Sequence, residues 1–253
     1  MNDLFGGDYS GEPFRLFGLP HVVALVAIAL INLGLITYGQ RIPARWRKCI
    51  RFGLAALLLI DEALWHIWNW RIGEWTIQTM LPLHLCSVFV FLSAIMLLTR
   101  SYSIFELAYF LGIAGAMQAL LTPDAGPYGF PHFRFFQVMV SHGSIVTAAV
   151  YMAAVEGYRP TLASIKRVLI TGNLYAVAVG IINAVIGSNY LYVARKPETA
   201  SLLDVLPAWP WYLPILEGIA LLMIALLYAP YALRDLRPKR IARAGATRAL
   251  DAP

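Results

Sequence analysis

The stretch LPHVVALVAIALINLGLITYG, residues 19–39, contains no Asp, Glu, Lys or Arg. At about 1.5 Å per residue, a helix of this length crosses the roughly 30 Å hydrocarbon core of a bilayer. The pattern predicts an all-α, polytopic membrane helix bundle with about seven transmembrane helices. The six further apolar stretches are 52–70, 81–99, 103–122, 135–156, 166–188 and 211–231.

The overall composition agrees with a membrane protein. The 253 residues are 59% hydrophobic and 13% charged, whereas a soluble domain has about 25% charged residues. So little charge cannot cover a globular surface, which excludes an ordinary soluble enzyme, a disordered chain and a disulfide scaffold. The net charge of +6 does not predict nucleic-acid binding, because the basic residues fall in separate loops between apolar stretches.

The basic residues also predict an orientation. If the chain crosses seven times, fifteen of its twenty Lys and Arg residues lie on one side. Because the loops richest in Lys and Arg stay in the cytoplasm, we expect the N-terminus outside and the C-terminus in the cytoplasm. The predicted regions are an extracytoplasmic segment 1–18, a seven-helix membrane domain 19–233 and a basic cytoplasmic tail 234–253.

Polar side chains within the predicted spans gather toward the outer end of the bundle. Ionisable groups in a bilayer are costly and usually face a bundle interior or a wet cavity. The pattern therefore predicts an outward-opening polar cavity, with hydrogen bonding between helices as the alternative. We expect Asp61 to point to another face. The residues at similar depth are Glu62, His66, Cys86, Gln118, His142, Asn183 and Glu217.

The second span carries a polar stripe. Glu62, His66 and Asn69 are spaced i, i+4 and i+7, so they share one helix face. The carboxylate either orients the imidazole for chemistry or forms a structural pair with it.

The third span opens with LPLHLCS, residues 81–87. Pro82 suits the first helical turn, and Cys86 then lies near the positive end of the helix dipole, which favours the nucleophilic thiolate. His84, two residues earlier, points to a different face. The alternative interpretation of Cys86 is a small buried apolar residue. Cys49 should lie too far away for a disulfide.

The fifth span contains VSHGS, residues 140–144. Gly143 and Ser144 permit close helix approach, and the depth of His142 matches that of Cys86. A Cys and a His from different helices are the arrangement of an activated nucleophile. We predict neither a cofactor nor a metal, although His66, His84 and His142 leave a zinc site as an alternative.

Three motifs together resemble one family over most of residues 15–230. They are His84-Leu85-Cys86 after a Leu-Pro, Ser141-His142-Gly143, and WPWY at 209–212. The chain resembles the YwaF-like family of bacterial integral membrane proteins, which is distantly similar to the eukaryotic transmembrane protein 164 family and, further off, to the androgen-induced hydrolases. Those relatives resemble lipid acyl-transfer or hydrolytic enzymes with an intramembrane Cys or Thr nucleophile and a His. The resemblance implies that Cys86 is the nucleophile and His142 the base, in a bacterial inner (plasma) membrane.

The leading hypothesis is a lipid acyl-transfer or hydrolytic enzyme with a cavity near the outer leaflet. Its partner would be a membrane lipid or a lipophilic small molecule. A membrane transporter or receptor-like binder of a small molecule or protons is the alternative, and a metal-dependent lipid hydrolase is the second. Asn183, Asn189 or backbone N–H groups at the start of the third span are candidates for oxyanion stabilisation. The predicted substrate-binding residues are Glu62, His66, Asn69, His84, Gln118, Asn183, Asn189 and Glu217.

Overall fold

The computed structural model describes residues 4–197 and 202–250, with side chains over 4–197 and 203–235. Every regular element in these ranges is helical, so the prediction of an all-helical membrane bundle is confirmed. The predicted tail 234–253 falls mostly in the last helix, and 251–253 lie outside the described residues. The helices are α1 Leu19–Tyr38, α2 Ala44–Arg71, α3 Leu85–Thr99, α4 Tyr102–Leu121, α5 Phe133–Ala154, α6 Leu162–Ile186 and α7 Tyr212–Leu250.

Five of these segments are long and apolar enough to cross a membrane: Leu19–Arg41, Tyr102–Leu121, Phe133–Ala154, Leu162–Ile186 and Tyr212–Asp235. Helix α2 is 28 residues long but carries an acidic pair and several basic residues. Helix α3 has 15 residues, about 22 Å at the helical rise. The seven crossings and the orientation of the termini stay predictions.

The start of α3 differs from the expectation. The helix begins at Leu85, and the extended residue His84 is its N-cap. Pro82 therefore precedes the helix instead of occupying its first turn. Residues 81–84 form a non-helical approach, which leaves Cys86 as the second residue of α3.

Helix α5 is the centre of the bundle. In its most apolar 18-residue window 78% of residues are buried, against 11% in α1, α6 and α7. Helices α1, α2, α3 and α4 pack around it. Gly143 allows the close approach of α1, because a Cβ at this position would lie 2.8 Å from Ile28 Cδ1. The core thus positions α5 side chains against the surrounding helices.

Helix α4 contains one π-helical turn, Ala108–Gly112. Such turns widen a helix locally and are frequent at functional sites. The Tyr109 hydroxyl in this turn donates a 3.1 Å hydrogen bond to the Leu227 carbonyl of α7. The π turn therefore attaches the otherwise peripheral α7 to the bundle.

The N-terminal segment covers the end of the bundle where α2 stops and α5 begins. Its four successive carbonyls at residues 4–7 each accept a hydrogen bond from α2 or from residues 128–133. A stack of Phe5 on Phe133 adds to this attachment. The four bonds are Phe133 N to Leu4 O (2.8 Å), Trp68 Nε1 to Phe5 O (2.9 Å), His132 Nε2 to Gly6 O (3.1 Å) and Tyr128 OH to Gly7 O (2.9 Å).

Candidate functional site

A buried polar network joins α2 to α5 beneath this cover. Asp61 is 8% exposed and Glu62 is 4% exposed, so two consecutive carboxylates face the interior. Gln137 Nε2 donates a 3.3 Å hydrogen bond to Asp61 Oδ2, and Ser141 also interacts with this carboxylate. The sequence predicts Asp61 on another face of α2 than Glu62; that face is also buried, against Gln137 of α5, so both carboxylates lie in the interior.

Arg134 supplies the positive charge of this network. Its guanidinium donates to Gln137 Oε1 and, at 2.9 Å, to the Asp124 carbonyl. It also lies 4.0 Å from the centroid of the Trp65 ring and interacts electrostatically with Asp61 and Glu62. The arginine at the start of α5 thus compensates two carboxylates of α2, as buried charges require.

Glu62 also contacts His66 one turn later, with 3.5 Å between Glu62 Oε1 and His66 Nε2. His66 Nδ1 accepts a 3.0 Å hydrogen bond from Trp75 Nε1. In the neutral ring the proton therefore resides on Nε2, facing the carboxylate. Asn69, the third member of the stripe, is buried and donates a 2.8 Å hydrogen bond to the Trp65 carbonyl of its own helix.

Cys86 lies in the first turn of α3, half-buried. Three elements surround it: α2 through the electrostatic contact with Glu62, α4 through Gly115, and the turn Tyr190–Tyr192 through Tyr192. A Cβ at Gly115 would lie 2.9 Å from Leu85 Cδ2 and 3.8 Å from Cys86 Sγ. The glycine therefore lets the start of α3 approach α4 closely. The thiol therefore has neighbours on three sides and stays partly accessible.

The amide groups around Cys86 are open. His84 is the N-cap of α3, but its side chain makes no capping hydrogen bond; its Nδ1 accepts instead from Leu191 N at 3.4 Å. The first N–H groups of a helix have no partner within the helix. Those of Leu85, Cys86 and Ser87 receive no hydrogen-bond acceptor from other described residues. They form a set of donors beside the thiol.

His142 presents an unprotonated nitrogen in its neutral form. Its Nδ1 lies 2.7 Å from the Val138 carbonyl oxygen. A carbonyl only accepts, so Nδ1 carries the proton and Nε2 keeps its lone pair. Nε2 bonds no other described residue, and His142 is half-buried. This nitrogen is therefore available to take a proton.

The other four histidines have the opposite tautomer, since Nδ1 accepts a hydrogen bond in each of them. In His21 and His132 the Nε2–H group donates to a carbonyl, and in His66 it faces Glu62. His142 is thus the histidine with a free Nε2 lone pair. The donors to Nδ1 are Phe17 N for His21, Trp75 Nε1 for His66, Leu191 N for His84 and Arg134 N for His132.

No hydrogen bond joins Cys86 to His142 among the described residues. Electrostatic contacts connect them indirectly: Glu62 acts on Cys86 and on Arg134, and Arg134 acts on His142. Glu62 contacts His66 and acts electrostatically on Cys86, and His142 is linked to them only through Arg134.

Two predicted members of the cavity lie elsewhere. Glu217 is exposed on α7, where its Oε1 accepts a 3.1 Å hydrogen bond from Asn173 Nδ2 of α6. Gln118 is exposed on α4. Depth along a span does not determine which face a side chain occupies. The expectation that Glu217 faces the interior is therefore wrong.

Asn183 and Asn189 fasten the connection after α6. Asn183 is 2% exposed; its Nδ2 donates to Tyr190 O at 2.9 Å and its Oδ1 accepts from Tyr190 N at 2.8 Å. Asn189 makes the corresponding pair of bonds with the backbone of Arg195. Both amides are occupied by the backbone, so among the groups predicted as oxyanion candidates only the N–H groups at the start of α3 have no partner in the described part of the chain.

Arg134, Gln137 and Ser141 are functional candidates that the sequence analysis missed. Their spacing of i, i+3 and i+7 places them on one face of α5. That stripe is readable in the sequence, but the predicted span 135–156 begins one residue after Arg134 and so leaves the arginine outside it. In the described part of the chain, no group of three or more His, Cys, Asp or Glu side chains could hold a metal ion.

Comparison with known proteins identifies the family. The model of the TMEM164 family matches residues 16–228. No curated protein and no solved structure was found to match the chain. The matched residues include all of α1 to α6 and the whole polar network, so the chain, an integral membrane protein, belongs to the TMEM164 family.

Proposed function

We propose that the protein is an intramembrane lipid acyl-transfer or hydrolytic enzyme with Cys86 as nucleophile and His142 as general base. The free Nε2 lone pair of His142 is the observation that carries this proposal, because it singles out one of five histidines as able to accept a proton. The position of Cys86 beside open amide groups at a helix start, where the dipole favours negative charge, supports it further.

The reaction divides into two transfers. The Cys86 thiol proton passes to His142 Nε2, directly or through one water molecule, while Sγ attacks the carbonyl carbon of a lipid ester. The carbon–oxygen ester bond breaks, the leaving alkoxide takes the proton from His142, and a thioester remains. Water or a lysolipid hydroxyl then gives its proton to His142 and attacks the thioester. The carbon–sulfur bond breaks, and the leaving thiolate takes the proton from His142, which restores the thiol and the neutral imidazole.

The open N–H groups at the start of α3 are suited to hold the oxyanion of both steps. A donor aimed at developing charge contributes about 10²–10³-fold in rate. Arg134 and Gln137 position the α2 carboxylates and do not touch the reacting atoms in this proposal. The substrate is a membrane lipid or another lipophilic ester, and the proposed location is a bacterial inner membrane.

A lipophilic fluorophosphonate-type or activated-ester probe tests the nucleophile. Wild-type protein should carry the label on Cys86, which peptide mass spectrometry would identify, and Cys86→Ala and Cys86→Ser should lose it. Cys49 is exposed, so Cys49→Ala is the matched control and should keep full labelling at Cys86. Full lipid turnover by Cys86→Ala would show that the nucleophile is another residue.

The paired carboxylates favour a second candidate, a binder or transporter of protons or a small cationic molecule. Asp61 and Glu62 are both buried, and Glu62 contacts His66. Intramembrane carboxylates and histidines of this kind mark proton relays in pumps and transporters. This candidate predicts that Glu62→Gln alters proton or ligand binding while no variant affects any turnover of lipid.

A further inference from the structure

Arg51, near the start of α2, is buried without a hydrogen-bond partner, and its guanidinium carbon lies 5.4 Å from the centroid of the Phe52 ring. Arg51 is 6% exposed, and neither Nε nor Nη1 has a hydrogen-bond partner or contact with solvent. A guanidinium carries five N–H donors and stays charged. Leaving such donors unpaired in a protein interior is costly. We therefore expect the Arg51 guanidinium to bind a hydrogen-bond acceptor that the described part of the chain does not supply.

The neighbouring side chains are already occupied. Arg47 donates to the carbonyls of Ile42, Val155 and Gln40 at 2.9, 3.2 and 2.9 Å. The Tyr151 hydroxyl donates to Arg47 O at 2.7 Å. It is also 3.3 Å from Glu156 Oε1. Glu156 in turn pairs with Arg100, at 3.4 Å. The nearby carboxylate of Glu156 thus interacts with Tyr151 and Arg100.

Other carboxylates at this end of the bundle are also paired. Glu106 accepts from Arg167 and Ser164, and Asp235 lies 2.5 Å from Arg159. Exposed Arg45 and Lys48 add positive charge beside Arg51. The end of the bundle that the sequence predicts to be cytoplasmic therefore has an excess of positive charge around a buried guanidinium.

The accessible atom of Arg51 determines what can bind. Nη2 is absent from the buried unpaired atoms and has no protein partner, so it carries the remaining accessible surface. In the planar guanidinium, Nη2 shares one edge with Nε and the other with Nη1. A tetrahedral oxyanion at Nη2 gains a second donor when the guanidinium turns one of these edges toward it, which gives the bidentate geometry that phosphate prefers.

We propose that Arg51 is the centre of a binding site for a phosphate-class oxyanion, either the headgroup phosphate of an anionic lipid or free phosphate. Exposed Phe52 lies beside the Arg51 guanidinium, and Trp46 on the same helix is also exposed, as aromatic side chains often are at a membrane interface. The site lies at the opposite end of the bundle from the polar network and is independent of the proposed enzymatic function.

Thermal unfolding of the full chain in neutral detergent tests this site. The Tm of the wild type should rise with the logarithm of phosphate or phosphatidylglycerol concentration, as expected for a ligand of the folded state. Chloride at equal ionic strength and phosphatidylcholine should give no rise. A rise in Tm with inorganic phosphate would show that the ligand is a free anion. A rise with phosphatidylglycerol alone would show that the ligand is a lipid headgroup.

Substitutions of Arg51 test whether the rise in Tm depends on this residue. Arg51→Gln should abolish the rise, Arg51→Lys should reduce it because the charge stays and the bidentate edge is lost, and exposed Arg45→Gln should keep it in full. If Arg51→Gln does not fold, the comparison of the rise in Tm between the wild type and Arg51→Lys still tests the site. A wild-type rise that chloride reproduces, or a full rise in either Arg51 variant, would overturn the proposal.

Discussion

His142 Nδ1 donates a 2.7 Å hydrogen bond to the carbonyl oxygen of Val138, one turn earlier in the same helix. The bond fixes the tautomer without tying the ring to another helix. His21 is the contrast: its Nδ1 accepts from Phe17 N at 3.0 Å, and its Nε2–H donates to Leu120 O of α4 at 2.8 Å. One imidazole keeps a free lone pair, while the other holds α1 to α4.

This contrast predicts opposite effects of two substitutions. His142→Ala should lower labelling of Cys86 by about 10²–10⁴-fold, the usual contribution of a general base, with a small change in Tm. His21→Ala leaves a buried carbonyl and an amide unpaired, at about 1–3 kcal/mol each, but should leave the labelling rate of the folded protein unchanged. Labelling kinetics and thermal unfolding on the same preparations check both. Equal loss of labelling in the two variants would contradict the assignment of His142.

Gln137 and Gln118 provide a matched pair for the buried network. Gln137 contacts both Asp61 and Arg134, so Gln137→Ala should destabilise the protein by about 1–3 kcal/mol through a buried carboxylate that loses a donor. Gln118 is exposed, so Gln118→Ala should stay within about 0.5 kcal/mol. Denaturant unfolding in detergent measures both. A destabilising effect of Gln118→Ala as large as that of Gln137→Ala would place it in the interior after all.

The sequence predicted the helices better than it predicted which face each side chain occupies. Apolar runs locate spans because the bilayer requires about 20 apolar residues in a row, and each predicted stretch overlaps one helix of the structure, although α2 begins earlier and α3 later than predicted. The helical face depends on how neighbouring helices pack. Depth therefore grouped Glu62 with Glu217, although packing buries the first and leaves the second exposed. The cover formed by residues 4–7 and the unpaired Arg51 depend on long-range contacts, which no local pattern reveals.

The asparagines of α6 give a third prediction. Asn183 holds Tyr190 N and O by its side chain and also accepts from Ser188 Oγ at 2.7 Å. Asn183→Ala should therefore destabilise the protein by about 1–3 kcal/mol for each buried group left unpaired. Asn173 on the same helix is exposed and its hydrogen bond to Glu217 is also exposed, so Asn173→Ala should cost less than Asn183→Ala. If the oxyanion donors are the α3 amides, folded Asn183→Ala keeps the labelling rate of Cys86, and a selective loss of labelling would return Asn183 to the site.

The attachment of the N-terminal segment gives the last prediction, a dependence on pH. Burial lowers the pKa of His132, opposed in part by its hydrogen bond to the Gly6 carbonyl. Nδ1 accepts from Arg134 N at 3.0 Å and Nε2–H donates to Gly6 O at 3.1 Å. The neutral ring satisfies both contacts, whereas a protonated ring cannot accept from Arg134 N. In the unfolded chain the histidine has a pKa of about 6.5.

The direction in which stability changes with pH follows from proton binding. Below pH about 6.5 the unfolded state binds the proton more readily than the folded state, so stability falls as the pH decreases. The contribution of His132 is present above that pH and is lost as the pH falls through the lowered folded value. Tm of the wild type should therefore decrease on acidification, and hydrogen exchange of the Phe133 amide, which bonds Leu4 O, should accelerate. His132→Asn keeps an N-cap acceptor that does not titrate in this range. It should show a weaker pH dependence of Tm, and an unchanged dependence would assign the effect to another histidine.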